Sequence, residues 1–240
     1  MTPVRHSIAS RLDALPWDDL ERSLGERGYA RTGTVLADSE RRALTGLWEE
    51  PARFRSRVEM ARHRFGEGEY RYFADPLPPL VRGLREAIYP RLAPIASRWM
   101  ELLGRPERYA PRLESFLAEC ARAGQSRPTP LLLRYQAGGY NCLHQDLYGE
   151  VAFPLQVVAF LSRPGADYEG GEFLLVETRP RAQSAGEAVL GLEGELLIFT
   201  TRFRPARGQR GHYKVQVRHG VSRVRAGIRF TMGLIFHNAS

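Results

Sequence analysis

Between residues 131 and 236 the chain runs as six short apolar segments set apart by glycine-rich turns: Leu131–Tyr135, Leu155–Leu161, Glu172–Val176, Glu195–Thr200, His212–Val217 and Arg229–Phe236. Runs of this length with this punctuation read as strands, and their number points to a sandwich or barrel rather than to alternating βαβ units.

The first half has a different texture. Leu80, Leu84 and Ile88 recur every four residues, as do Ile95, Trp99 and Leu103, while Leu113, Phe116, Leu117 and Cys120 follow the i, i+3, i+4, i+7 spacing of a helix face. Asp18–Leu24 and Ser39–Trp48 are shorter segments with cap residues. Pro90 and Pro94 predict an interruption between the two four-residue repeats, and Arg127-Pro-Thr-Pro130 ends helical character before residue 131. There is no internal repeat and no long linker. The expectation is one compact α+β unit with a mainly β core: a helical half over residues 1–127 that buttresses a β core over 128–240.

A chain of 240 residues that is 43% apolar and 26% charged can bury a sizeable core, which excludes a disordered tail, a collagen and a disulfide mini-protein. The richest apolar run, Leu155 to Leu161, has Gln156 inside it and falls far short of the roughly 20 apolar residues of a membrane helix, so no membrane partner is expected. The start, Met1 to Arg11, lacks the apolar centre of a secretory signal, and Cys120 and Cys142 form no disulfide framework. Both features suit a reducing cytoplasm.

The formal charge is +8, and Lys214 is the only lysine among 35 basic residues. Base composition of the gene accounts for a preference for arginine, but not for its clustering. Residues 202 to 229 carry nine cations (Arg202, Arg204, Arg207, Arg210, Lys214, Arg218, Arg223, Arg225, Arg229) and no acid. A field of that sign attracts polyanions, nucleic acid among them, or carboxylates.

The chemistry concentrates in Leu131-Leu-Leu-Arg-Tyr-Gln-Ala-Gly-Gly-Tyr-Asn-Cys-Leu-His-Gln-Asp146. If this segment is extended, His144 and Asp146 project to one face. One imidazole and one carboxylate make two-thirds of the facial triad by which Fe(II) is held, with three positions left open. A His-x-Asp pair alone is a weak signal that arises by chance. His219 strengthens it, because Arg229 follows ten residues later. His212 is followed at that distance by Ser222, His237 lies too near the end, and His6 and His63 precede the β region. A 2-oxo acid that chelates iron through its keto oxygen and first carboxylate needs a bidentate cation for its far carboxylate, which arginine's planar fork provides. Arg229 is the choice for that anchor, with the hydroxyl of Tyr135 as a second donor. A tyrosine packed at a sheet edge is the plainer alternative for Tyr135.

His144-x-Asp146, then Gly170-Gly-Glu-Phe173, then Gly194-Glu-Leu-Leu-Ile-Phe199, then His219 with Arg229, resembles the Fe(II)/2-oxoglutarate dioxygenase superfamily in order and spacing. The likeness covers about residues 128 to 238 and implies a double-stranded β-helix of jelly-roll type. It further implies Fe(II) on His144, Asp146 and His219, with 2-oxoglutarate and O2 as co-substrates. Arg134-Tyr135-x-x-Gly138 with Leu143-His-Gln-Asp146 is similar to the AlkB-type nucleic-acid repair enzymes, whose tyrosine at that place contacts 2-oxoglutarate. The ten-residue step from His219 to Arg229 is instead similar to prolyl-4-hydroxylase-type enzymes. Across its whole length the chain most resembles a family of bacterial 2-oxoglutarate oxygenases described as acting on damaged DNA.

That resemblance implies oxidation of a substrate C–H bond, with removal of N-methyl groups from damaged nucleic acid as the leading reading. In the segment 62–73, Arg62 and Arg64 offer cations for phosphates, and Tyr70 and Tyr72 offer rings for stacking on a base. The same composition describes a hairpin packed on the barrel as well as a substrate lid. Two other readings compete: a hydroxylase of protein side chains or small metabolites with the same mechanism, and a binding module that has lost catalysis. Oligomeric state is not legible in the sequence.

Overall fold

The computed structural model describes residues 7–240. Its strands, in chain order, are β1 (Tyr29–Thr34), β2 (Phe54–Glu59), β3 (Gly66–Glu67), β4 (Glu69–Phe73), β5 (Leu131–Gln136), β6 (Tyr140–His144) and β7 (Leu155–Phe160). They continue as β8 (Tyr168–Gly170), β9 (Phe173–Thr178), β10 (Ala185–Val189), β11 (Glu195–Thr200), β12 (Phe203–Gly208), β13 (Gly211–Val221) and β14 (Val224–Leu234). Every pairing among them is antiparallel. A major sheet runs β1-β11-β7-β14-β5-β4-β2, with β8 on β14; a minor sheet runs β10-β9-β13-β6-β3, with β12 on β13. The two face each other as the halves of a double-stranded β-helix.

Five helices accompany them: α1 (Ile8–Asp13), α2 (Trp17–Arg27), α3 (Asp38–Gly46), α4 (Pro79–Leu102) and α5 (Leu113–Arg122). They bury one face of the major sheet. Leu155, Val157, Ala159, Met232 and Leu234 lie in a cluster with Leu84, Ile88, Leu92 and Trp99 of α4. The opposite face is buried too: Val158 and Phe160 of β7, with Leu197 and Phe199 of β11, pack on Phe173, Leu175 and Val217 of the minor sheet. Burial on both faces explains why β7 and β11 read as unbroken apolar runs rather than as alternation.

Two expectations change. Helix α4 continues through Pro90 and Pro94. Both rings are exposed, as is Glu86, so the carbonyls of residues 86 and 90 that lose their N–H partners face water, while eleven buried residues of the helix hold it to the sheet. The first half is also less helical than its sequence suggests. It contributes β1, β2 and β4 to the major sheet and β3 to the minor one, so the 62–73 segment is woven into both walls of the barrel. Glycine permits that weave: a Cβ on Gly66 would stand 2.3 Å from the carbonyl oxygen of Tyr140, and one on Gly68 would stand 2.8 Å from the ring of Tyr135. Among the described residues no helix is long and apolar enough to cross a membrane.

Candidate active site

β6 and β13 run antiparallel with His144 directly opposite His219, and the two rings are 4.2 Å apart. Asp146 lies two residues beyond the end of β6, so its position comes from a loop and not from the pleat of a strand. Its Oδ1 stands 3.5 Å from His144 Nε2 and its Oδ2 3.1 Å from His219 Nε2. Two side chains aim that loop. The hydroxyl of Tyr148 donates to Asp146 Oδ1 at 2.7 Å, and Gln145 Nε2 donates to the carbonyls of Val217 (2.8 Å) and Arg202 (3.0 Å). One ligand atom from each of the three residues lies within 4.8 Å of the others, a spacing that could hold a metal ion.

The neighbours also set the protonation. His144 Nδ1 is 2.8 Å from the carbonyl of Cys142; a carbonyl only accepts, so Nδ1 carries the proton and Nε2 keeps a lone pair facing Asp146. The His219 ring is fixed by packing instead, stacked on Phe173 at 5.7 Å and edge-on to Phe199 at 4.9 Å, while its Nδ1 has no partner among the described residues. Burial works to raise the Asp146 carboxyl, but the two imidazoles outweigh it and hold it well below the usual carboxylate range. At His144 burial lowers the pKa and Asp146 raises it, with the second effect winning; at His219 burial and the His144 charge together lower it. A carboxylate with two imidazoles suits a first-row divalent ion such as Fe(II).

These side chains line a cavity of about 390 Å³ between the sheets, and Arg229 lines it as well. Arg229 sits directly opposite Tyr135 on β5 and is 1% exposed. Its Nε and Nη2 have no partner among the described residues, and Nη1 reaches only Thr231 Oγ1 at 3.5 Å. Rings surround it, those of Tyr135, Phe160 and Tyr168 lying 5.6, 5.7 and 5.9 Å from its Cζ. A buried cation without a partner costs several kcal/mol, and here burial drives its pKa down. Such a guanidinium fits a carboxylate that enters the cavity. Gly171 makes room for it: at φ +62° a Cβ there would stand 2.8 Å from Arg229 Cδ. Tyr135 is fully buried, and Asn141 Nδ2 donates to its hydroxyl oxygen at 3.3 Å, which leaves the hydroxyl proton for an incoming acceptor. Its place in the barrel interior removes the sheet-edge alternative.

The other expected residues separate. Tyr70 and Tyr72 line the cavity, and Arg64, with the 48% exposed Phe65, stands at its mouth. Arg62 does not line it; its Nε pairs with Glu59 on the surface at 2.6 Å. His63 stacks on Phe65, His212 is exposed on the β12–β13 hairpin, His237 is buried with Nδ1 accepting from the Phe153 amide, and His6 lies outside the described residues. Of the nine cations in 202–229, Arg204 and Arg229 are interior, so the exposed basic field is smaller than the sequence count. Three residues of the site carried no signal in the sequence. Tyr148 and Tyr168 sit in loops and short strands, and Gln156 is hidden inside an apolar run.

A model of the Oxygenase-NA family, described as an oxygenase catalysing oxidative methylation of damaged DNA, matches residues 68–239. The uncharacterized protein Rv2227 of Mycobacterium tuberculosis is 52% identical over 168 residues, which is 70% of this chain and 72% of that one. Among solved structures, a Pseudomonas putida prolyl-4-hydroxylase superposes with a TM-score of 0.57 at 14% identity, over 93% of this chain and 99% of its own. A 2OG-Fe(II) oxygenase family oxidoreductase from Burkholderia pseudomallei gives 0.53 at 17% identity, over 93% and 92%. The fold is that of the 2OG-Fe(II) oxygenases.

Proposed function

The chain belongs to the Oxygenase-NA family, and from that premise we propose that it is an Fe(II)/2-oxoglutarate-dependent dioxygenase that removes alkyl groups from damaged nucleic acid by oxidation. The observation that supports the reading best is Arg229, a buried guanidinium with two nitrogens unpartnered among the described residues, which shares one cavity with His144, Asp146 and His219. His144 Nε2, His219 Nε2 and the Asp146 carboxylate would hold the metal. Arg229 would take the far carboxylate of 2-oxoglutarate, with the Tyr135 hydroxyl donating to the same group.

When bound, Fe(II) supplies activation of dioxygen, so that one oxygen atom enters a substrate C–H bond and the other joins the carboxylate formed as 2-oxoglutarate loses CO2. The protein's part is orientation and dryness. The Cys142 carbonyl keeps the His144 proton on Nδ1, Tyr148 steadies Asp146, and the rings of Phe173 and Phe199 hold His219 in place. Arg229 and Tyr135 fix the co-substrate's orientation from its far end. Val158, Phe173 and Phe199 line the space and limit water. An N-methyl group hydroxylated there would leave as formaldehyde, and its nitrogen would regain a proton.

The test is turnover of 2-oxoglutarate with Fe(II) on several methylated single-stranded oligonucleotides, with succinate and formaldehyde expected in equal amounts. Succinate without formaldehyde from every oligonucleotide would remove the nucleic-acid part. The ten-residue step from His219 to Arg229 favours a second reading, hydroxylation of a protein side chain or small metabolite. A mass gain of one oxygen on a peptide or metabolite substrate would establish it instead. Anaerobic titration that finds no bound iron would leave only a binding module.

A further inference from the structure

Gln156 is the only polar side chain of β7, and it lines the cavity while 2% exposed. Its Nε2 has no hydrogen-bond partner among the described residues. Leaving a buried amide donor unsatisfied costs a folded chain about as much as a hydrogen bond is worth, so this group calls for an acceptor that the protein does not provide.

Its location says which ligand brings that acceptor. Strand alternation puts Gln156 on the same interior face as Val158 and Phe160. Phe160 is the residue whose ring lies 5.7 Å from Arg229 Cζ; Gln156 is four residues farther on, about 13 Å along the strand. Across β11, Gln156 is paired with Phe199, whose ring touches His219. On the β14 side, the pairing of Val157 with Leu234 brings Gln156 level with Ile235. Ile235 belongs to a cluster with Tyr72 and Leu131, against which Tyr70 and Tyr148 pack. The rings of Tyr70 and Tyr72 meet at 85° and 5.5 Å, those of Tyr72 and Tyr148 at 87° and 6.1 Å. The amide therefore borders a slot in the cavity whose one wall is the edge-to-face row of Tyr70, Tyr72 and Tyr148, beside the metal ligands.

We propose that Gln156 determines substrate specificity by donating its amide N–H to the O4 carbonyl oxygen of a pyrimidine base held in the slot of Tyr70, Tyr72 and Tyr148. Rings that stack on the faces of a base and an amide that meets its edge are the two elements by which an extruded base is read. This inference rests on the nucleic-acid reading above and names the residue that would choose among bases.

The experiment compares single-stranded DNA carrying one 3-methylthymine, whose edge presents acceptors and no amino group, with the same strand carrying 3-methylcytosine. The ratio of kcat/KM is read from formaldehyde release at saturating Fe(II) and 2-oxoglutarate. The unaltered enzyme is expected to favour 3-methylthymine. Gln156→Met, of similar volume and without a donor, should reduce that preference roughly 5- to 150-fold, the range of one discriminating base contact. Gln156→Asn, which keeps an amide, should retain part of it and serves if the methionine variant does not fold. A ratio that is near one in the unaltered enzyme, or unchanged in the variants, overturns the inference and leaves the nucleic-acid reading standing. Equal losses on both strands with a raised KM for 2-oxoglutarate assign the amide to the co-substrate and also overturn it. No formaldehyde from either strand, with 2-oxoglutarate still consumed, overturns both.

Discussion

Arg204 on β12 and Arg229 on β14 come from the same basic stretch and are equally hidden, at 3% and 1% exposure, yet their surroundings are opposite. Arg204 is fully engaged. Its Nε and Nη2 meet Glu177 at 2.8 and 2.6 Å, and Nη1 donates to the carbonyl of Gly25 at 2.8 Å, so it ties β12 to β9 and α2. Arg229 has aromatic rings on three sides and two nitrogens without a partner. The contrast teaches that burial of a cation does not distinguish a strut from a socket; the state of its donors does.

The sharpest way to break that contrast is Arg229→Met. Loss of two charge-assisted hydrogen bonds to a carboxylate, about 3–6 kcal/mol together, should lower kcat/KM for 2-oxoglutarate about 10²- to 10⁴-fold in a succinate assay. The same change should leave the melting temperature without co-substrate equal or higher, because a desolvated charge has gone. A marked loss of stability in that variant would make Arg229 a strut after all. Arg204→Met should do the reverse: it takes from Glu177 its buried partner, leaving only the exposed Arg179, and frees the carbonyl of Gly25, so it is expected to cost about 1–3 kcal/mol in denaturant unfolding, with the KM for 2-oxoglutarate untouched.

Ligand linkage provides a third measurement. 2-Oxoglutarate at a hundred times its Kd should raise the unfolding free energy by about 2.7 kcal/mol in the unaltered protein and in Arg204→Met, and not in Arg229→Met. At the metal end, proton competition is set by His144, whose pKa Asp146 raises above the ordinary value of about 6.5, and not by His219, which burial keeps neutral. Metal binding needs the neutral imidazole, so affinity should fall about tenfold per unit as pH drops through that raised value. Titration with Mn(II) at several pH values checks this; a midpoint clearly below 6.5 would contradict it. The smallest effect is expected of Tyr135→Phe, which removes one hydroxyl donor: about 1 kcal/mol, or roughly a fivefold rise in the KM for 2-oxoglutarate.

What could be read beforehand follows the same division. His144, His219, Arg229 and Tyr135 sit at fixed registers on β5, β6, β13 and β14, so spacing along the chain maps directly onto facing positions across two ladders. Asp146 follows His144 at the two-residue spacing of one strand face, although the strand ends before it and Tyr148 and Gln145 supply the aim. The strands of the first half stayed hidden for local reasons. β3 has two residues, β1 carries a glycine near its end, and β4 is full of arginine, glutamate and tyrosine that gain an interior only by pairing with β5. Helix α4 survived its prolines because exposure of the affected carbonyls is a tertiary fact. Gln156 was invisible in a different way, since one polar letter in a buried strand acquires meaning only when the amide is found unpartnered beside a cavity.

The helices cover the major sheet and, of the minor sheet, touch chiefly β12. The minor sheet turns exposed residues such as Lys214, Arg218 and most of β10 to solvent, and the exposed Cys142 and Leu143 of β6 lie on the rim of the cavity. Mutational drift is therefore cheap at the solvent-facing positions of the minor sheet, its inward-facing His144 and His219 apart, and expensive on the wall that carries Arg229 and Tyr135. A lineage built on this scaffold can retune what it admits, at its outer lip, without disturbing the anchor for its co-substrate.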